Sequence, residues 1–231
     1  MNPARVGGET GGSRKPEAGG QWAETEHRQP AAGEPPPFRI GLVLLAAGAS
    51  TRMGRPKQLI EVGGRPLVVR AVEAALASVA WPVVVVVGAH AEAIRPVLAR
   101  HPVLVADNPA WTEGMASSLR TGVATLQAFS RTLDGALVAV ADQPAFSAKV
   151  IARLVEAHRA TGRGIAAARY AGRLAVPALF DRTHFAALAA LTGEGGARQY
   201  LADHAAGTAA VDLPELAVDL DTPEDLAAWK E

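Results

Sequence analysis

The amino-acid sequence predicts a three-layer α/β/α fold, in which a mostly parallel, twisted sheet of the Rossmann-like type lies between two layers of helices. From Phe38 onward, short runs of apolar and β-branched residues alternate with longer segments of helical period. This alternation is typical of βαβ units and parallel sheets. The first run, at 39–46, is almost continuously apolar, as expected for a strand covered on both faces. No internal repeat is visible, which argues against a solenoid or propeller.

The same pattern assigns each element in chain order. Pro66 suits the first turn of a helix, and the apolar residues after it recur at helical spacing. Turn-forming residues at 107–114 separate the third strand from the next helix. The predicted strands are 39–46, 81–88, 102–106, 135–141, 164–169, 174–180 and 209–213, with a short strand-like run at 217–220. The predicted helices are 66–78, 92–100, 115–129, 147–160, 184–191, 196–204 and 223–230.

Length and composition predict one globular domain at 38–231. The chain has 231 residues, of which 49% are hydrophobic and 20% charged, typical of a single domain with a sizeable core. Residues 1–37 are rich in Gly, Pro, Glu and Arg, so we expect a disordered extension; a translation-start artefact or a docking tail are the alternatives. This segment has no apolar central region, so we do not expect a signal peptide.

The charge balance and the cysteine content indicate which binding partners and which cellular compartment to expect. Lysine plus arginine equal aspartate plus glutamate at 23 each, so neither nucleic acid nor a membrane is expected as a partner. The longest apolar runs are far shorter than the roughly 20 residues of a membrane-spanning helix. Cysteine is absent, which excludes disulfides and thiolate zinc sites and fits the cytoplasm. The six histidines are scattered and are interpreted as surface or packing residues.

The loop after the first strand is suited to phosphate. It reads L-A-A-G-A-S-T-R-M-G-R-P-K-Q-L at 45–59, and ligands of open α/β sheets bind beyond the carboxyl ends of strands. Small residues at 46–49 let backbone N–H groups approach an anion, and Arg52 and Lys57 add positive charge. The alternative is an ordinary solvated turn. Neither the G-x-G-x-x-G nor the G-x-x-x-x-G-K-[ST] pattern is present here.

This loop resembles that of the nucleotidyltransferases that include the molybdenum cofactor cytidylyl- and guanylyltransferases and, more distantly, the sugar nucleotidyltransferases. The resemblance implies the nucleotidyltransferase version of the fold across nearly all of 38–231. It also implies that the loop backbone holds a nucleoside triphosphate while Arg52 and Lys57 neutralise it as catalytic residues. The loop residues assigned to the nucleotide in this way are Leu45, Ala46, Ala47, Gly48, Gly54 and Lys57.

Nucleotidyl transfer brings anions together, and Mg²⁺ commonly neutralises them through one or two carboxylates plus substrate phosphates. Asp142, in V-A-V-A-D-Q-P at the end of a predicted strand, is one candidate ligand; a turn-forming aspartate is the alternative. The resemblance assigns it to magnesium. It also assigns Asp221, in D-L-D-T-P-E-D-L, as the second ligand, with Asp219 in support. Helix capping explains 222–225 but not these two aspartates.

Two further segments are assigned by the same resemblance. The stretch N-P-A-W-T-E-G-M-A-S-S-L-R-T-G at 108–122 matches a family segment near the base and ribose; capping plus a tryptophan anchor is the alternative. The family's G-D-x-G-A-R pattern appears at 193–198 with glutamate in place of aspartate. Arg198 there is a candidate acceptor-binding residue or a surface arginine. The nucleotide contacts implied are Gly88, Asn108, Gly114, Ser117 and Ser118.

The expected reaction is magnesium-dependent transfer of CMP from CTP to the molybdenum cofactor or its pterin, with release of pyrophosphate. A client molybdoenzyme is a further expected partner. The alternatives are GTP with the same pterin, a sugar-phosphate acceptor, or a catalytically idle protein that carries the cofactor. A serine hydrolase is not expected, because no G-x-S-x-G motif is present.

Overall fold

A computed structural model describes Met1, residues 38–218, Leu220, Asp225 and Trp229. The strands are Ile40–Ala46 (β1), Glu61–Val62 (β2), Arg65–Pro66 (β3), Val83–Val87 (β4), Leu104–Asp107 (β5), Gly135–Val140 (β6), Ile165–Tyr170 (β7), Arg173–Asp181 (β8) and Thr208–Asp212 (β9). The helices are Leu67–Leu76 (α1), Ala91–Leu98 (α2), Met115–Phe129 (α3), Ala148–Thr161 (α4), Phe185–Ala189 (α5) and Gly196–Asp203 (α6). The predicted disorder of 1–37 and the predicted helix at 223–230 lie outside the described residues.

The main sheet has the strand order β5-β4-β1-β6-β8-β7-β9. All its pairings are parallel except those of β8, which runs antiparallel to β6 and β7. The mostly parallel sheet predicted from the sequence is therefore confirmed. After β1 the chain builds β4 and β5 on one side and then crosses to β6 on the other. This reversal creates a crevice beyond the carboxyl ends of β1 and β6, where α/β folds bind ligands.

Alternating side chains of the central strands fill two separate cores. In β1, Leu42 and Leu44 belong to the core under α1, α2 and α4, whereas Val43 and Leu45 belong to the core under α3, α5 and α6. All four side chains are buried, which explains why the strand lacks polar residues. The fold is thus the predicted three-layer α/β/α arrangement. Within the described residues, no helix combines the length and apolar character needed to cross a bilayer.

The structure contains a β-hairpin that was not predicted from the sequence. Strands β2 and β3 form a small antiparallel hairpin, connected by Gly63 and Gly64 with φ of 59° and 72°. Glycine pairs favour such two-residue turns because both positions need positive φ. The strands have only two residues each, too few to show the alternation that identifies a strand.

Candidate active site

A cavity of about 410 Å³ opens beyond the carboxyl ends of β1 and β6. One wall is the loop after β1, and the end of β6 forms the floor. The opposite wall comes from the start of α3 and the turn before α6. The lining residues are Leu45, Ala46, Ala47, Gly48, Ala49, Thr51, Lys57, Gln58, Trp111, Thr112, Gly114, Met115, Ser118, Val140, Ala141, Asp142 and Glu194.

The loop after β1 is folded back on itself by Gln58, which is only 2% exposed. Its Nε2 donates to the carbonyl oxygens of Ala46, at 3.2 Å, and Gly48, at 2.9 Å. On the outer side, His90 Nε2 lies 2.9 Å from the carbonyl oxygen of Ala49. Because Gln58 and His90 together bind three carbonyl groups of the loop, they hold its backbone shape.

Ser50 connects this loop to the 3₁₀ turn Lys57–Leu59. Its φ of 54° places it in the left-handed region, which is unusual for a residue other than glycine. The Ser50 hydroxyl accepts a hydrogen bond from the Lys57 backbone N–H at 3.1 Å and donates to Gln58 Oε1 at 3.3 Å. These bonds fix the backbone from which the Lys57 side chain enters the cavity.

Asp142 and Lys57 meet on the cavity floor, although they are 85 residues apart in the chain. The Lys57 ammonium donates to Asp142 Oδ2, and the two side chains are 18% and 19% exposed. The Ala141 N–H donates to the carbonyl oxygen of Leu45 at 3.1 Å, so β6 ends directly beside β1. The other carboxylate oxygen, Asp142 Oδ1, is buried and has no hydrogen-bond partner among the described residues. The floor therefore holds the Lys57 ammonium group and the Asp142 carboxylate, whose Oδ1 has no hydrogen-bond partner among the described residues.

The opposite wall is built on a network around Asn108, which is 3% exposed. Its Nδ2 donates to the hydroxyls of Ser117, at 2.8 Å, and Ser118, at 2.9 Å, and its Oδ1 accepts from Ala110 N–H at 3.0 Å. The Ser117 hydroxyl donates to the Gly114 carbonyl oxygen. Four of the predicted nucleotide contacts, Asn108, Gly114, Ser117 and Ser118, are thus joined by hydrogen bonds that fix the turn at the start of α3.

Gly88 and Gly114 are sites of close backbone approach. A Cβ on Gly88 would lie 2.8 Å from both the Ala47 carbonyl oxygen and Trp111 Cβ, so only glycine lets these segments touch. Gly114 has φ of 103°, and a Cβ there would lie 2.8 Å from the Gly193 carbonyl oxygen. Because neither glycine has a Cβ, the backbone segments that form the cavity walls can come into contact at both positions.

The structure gathers some of the sequence-predicted site residues around the cavity and leaves others outside it. Those that line it are Leu45, Ala46, Ala47, Gly48, Lys57, Gly114, Ser118 and Asp142. Those described but not lining it are Arg52, Gly54, Gly88, Asn108, Ser117 and Arg198. Asp219 and Asp221 lie outside the described residues. The roles assigned to all of these residues remain predictions.

The lining residues that were not among the predicted site residues include Gln58, Trp111 and Glu194. Gln58 follows the conspicuous Lys57 and carries no motif of its own, although a polar residue inside a loop that must bury its carbonyl groups was a usable signal. Trp111 was interpreted as a core anchor or a neighbour of the base, and it lines the cavity. Glu194, the departure from the family's aspartate, lines it as well.

The fold and the family match together define a nucleotidyltransferase. A crystal structure of Rv0371c from Mycobacterium tuberculosis H37Rv superposes with a TM-score of 0.70 and 26% identity, covering 82% of this chain and 96% of that one. The chain belongs to the family described as the MobA-like NTP transferase domain, whose model matches residues 42–211. The matched segment begins in β1 and ends in β9, so it contains the whole cavity.

Two curated relatives have names that do not mention nucleotidyl transfer. The chain is 37% identical over 169 residues to nicotine blue oxidoreductase of Paenarthrobacter nicotinovorans, covering 69% of this chain and 79% of that protein. It is 31% identical over 205 residues to the purine catabolism protein PucB of Bacillus subtilis, covering 82% of this chain and 94% of that protein. The family resemblance predicted from the loop is thereby confirmed.

Proposed function

We propose that this protein transfers CMP from CTP to a molybdopterin-type acceptor in a magnesium-dependent reaction that releases pyrophosphate. The observation that carries the proposal is the meeting of Lys57 and Asp142 at the mouth of the small-residue loop. A phosphate of the acceptor would attack the α-phosphorus of CTP in line, the bond to the β-phosphate oxygen would break, and pyrophosphate would leave. No covalent enzyme intermediate is needed.

The triphosphate is assigned to the wall formed by residues 46–49 and Lys57. Side chains there are small, the Gly48 backbone is exposed, and the Lys57 ammonium is close by. Backbone N–H groups together with a fixed cation are the usual partners of polyphosphates. Through the family resemblance, Arg52 is also assigned to neutralise the charge of the triphosphate, although it does not line the cavity.

The residues on the floor suit Mg²⁺. Asp142 Oδ1 is a buried acceptor without a partner among the described residues, and hard cations prefer such oxygens. No group of three or more His, Cys, Asp or Glu side chains in the described part could hold a metal, which fits an ion that takes the rest of its ligands from phosphates and water. When bound, Mg²⁺ would neutralise charge on the triphosphate.

Asp221 is proposed as a second carboxylate ligand. Its support is that the backbone N–H of Leu220, the residue before it, donates to the Asp142 carbonyl oxygen at 3.3 Å. Lys57 would then exchange its bond to Asp142 for one to the triphosphate as nucleotide and cation bind together.

The choice of acceptor rests on the family resemblance, which includes Arg198, outside the cavity lining and four residues beyond Glu194, which lines it. Arg198 is proposed to bind an acceptor phosphate, and a client molybdoenzyme in the cytoplasm is proposed to receive the product. A reaction of GTP with the same pterin would use Lys57, Asp142 and Mg²⁺ in the same way. A reaction with a sugar-phosphate acceptor would do so as well. They therefore remain the alternatives to be separated by assay.

A second candidate function comes from the name of the relative that is 37% identical, an oxidoreductase. Redox chemistry on a small molecule requires a bound cofactor such as a nicotinamide or a flavin. The loop after β1 lacks the G-x-G-x-x-G pattern typical of dinucleotide folds. A lysine–aspartate pair at the cavity floor instead favours the transferase.

The test is a pyrophosphate-release assay that crosses CTP, GTP, ATP and UTP with molybdopterin and with sugar-phosphate acceptors, with and without Mg²⁺. We expect release only when Mg²⁺, CTP and molybdopterin are present together. Preference for GTP or for a sugar phosphate would overturn the choice of substrates. Absence of release in every combination, together with oxidation of a nicotinamide cofactor by added dyes, would favour the second candidate.

A further inference from the structure

The cavity wall opposite the loop after β1, called the outer wall below, is made of two short turns rather than of regular structure. One is the 3₁₀ turn Trp111–Glu113 before α3. The other is the Gly193–Glu194 segment before α6, whose residues are exposed. Such turns have few contacts of their own, so something else must fix their separation if they are to recognise a ligand.

Arg120, on α3, bonds to the first of these turns and to Leu191, which lies two residues before the Gly193–Glu194 segment. Its Nη2 donates to Glu113 Oε2 at 2.9 Å, and its Nη1 donates to the Leu191 carbonyl oxygen at 2.7 Å. The side chain is 30% exposed and does not line the cavity. Because a guanidinium group is planar and presents its donors in a fixed fork, it sets the geometry between its two partners.

A second contact joins the start of α3 to the Gly193–Glu194 turn. The Ala116 N–H, in the first turn of α3, donates to the Gly193 carbonyl oxygen at 3.2 Å. N–H groups at the start of a helix have no partner within the helix, so the turn acts as an external cap. Gly114 packs against Gly193 and Glu194 at the same point. Glu194 thereby enters the cavity lining beside Met115.

We propose that Arg120 is a positioning residue that fixes the outer wall for the nucleoside part of the substrate. The inference rests on the proposed function, because it assumes that a nucleoside triphosphate enters this cavity. Arg120 touches neither base nor phosphate. It acts through the Trp111–Glu113 turn and through Leu191, which leads into the Gly193–Glu194 turn.

The lining assigns the nucleoside, rather than the triphosphate, to this wall. Trp111, Met115 and Glu194 offer an aromatic ring, a thioether and a carboxylate, which suit the face of a heterocycle and its N–H donors. Among the described lining residues, this wall carries no cation, whereas Lys57 stands on the phosphate side. Displacing the wall should therefore weaken binding of a nucleotide and leave binding of bare polyphosphate unchanged.

The experiment measures the affinities of CTP and of inorganic tripolyphosphate, in Mg²⁺ at fixed ionic strength, for the full chain. The test variant is Arg120→Met, which removes both bonds of the guanidinium. The matched control is Arg153→Met, because Arg153 also joins a glutamate carboxylate, on Glu215, to a backbone carbonyl, on Asp212. Neither Arg153 nor its partners line the cavity.

For Arg120→Met we expect CTP to bind about tenfold more weakly, as small misplacements of positioning groups can cause, with tripolyphosphate within twofold of wild type. Arg153→Met should change neither affinity. Arg120→Lys, which can reach only one partner at a time, should fall between. Amide exchange at Ala116 should accelerate in Arg120→Met but not in the control.

Equal losses for CTP and tripolyphosphate, or no loss for either, would overturn the inference. If Arg120→Met does not fold, Glu113→Gln replaces it, since that change weakens only one of the two bonds and should show the same selectivity at smaller size. Wild-type protein that binds neither ligand would refute the proposed function itself, independently of the variants.

Discussion

Asp142→Asn should lower the rate of pyrophosphate release by at least about a hundredfold, the scale seen when one electrostatic group is removed from an active site. The amide keeps the size of the carboxylate but loses the negative charge that binds a divalent cation. The protein should still fold, because Asp142 stands just beyond the end of β6 and belongs to neither hydrophobic core.

The matched control for Asp142→Asn is Asp212→Asn, which breaks an ion pair with Arg169 at 2.6 Å on residues away from the cavity. Rates are to be measured at saturating CTP over a range of Mg²⁺ concentrations. Asp212→Asn should retain the wild-type rate at every concentration. A wild-type rate for Asp142→Asn would remove Asp142 from the mechanism.

Lys57→Met should lower turnover by roughly ten- to a thousandfold through lost stabilisation of charge in the transition state. The same change should tighten the binding of Mn²⁺ in the absence of nucleotide, because Asp142 loses the ammonium group that now bonds to Oδ2. These two effects point in opposite directions for the same variant. A general loss of folding would not produce both.

Arg55→Met is the control for Lys57→Met, since it removes one positive charge from the same loop at a residue that does not line the cavity. Its turnover and Mn²⁺ affinity should match wild type. The role of Lys57 would be contradicted by an unchanged rate, or by equal effects of the two substitutions.

The fold was predictable because its elements are long and strongly patterned. The run at β4 consists of five valines, all buried, and such a strand can lie only inside a sheet covered on both faces. Helix α3 begins and ends where the sequence predicted. The β2–β3 hairpin was missed because its register is set by two glycines rather than by alternation.

The site was predictable only where its chemistry is concentrated in the local sequence. The loop after β1 and Asp142 each carry a motif, and parallel strands bring their carboxyl ends to one edge. The Gly193–Glu194 turn reaches the cavity through contacts with residues about 80 positions earlier, at Gly114 and Ala116. Such contacts depend on how α3 and α6 pack, which no local pattern encodes.

The central claim is that the small-residue loop and Asp142 meet the same polyphosphate at one edge of the sheet. The most direct test is a crystal structure of the full chain with a non-hydrolysable CTP analogue and Mn²⁺, in which the ion is located by its anomalous scattering. We predict an anomalous peak at ligand distance from the Asp142 carboxylate, shared with phosphate oxygens that also contact the backbone N–H groups of residues 47–49. A triphosphate bound away from this loop, or an ordered Mn²⁺ without contact to Asp142, would contradict the account.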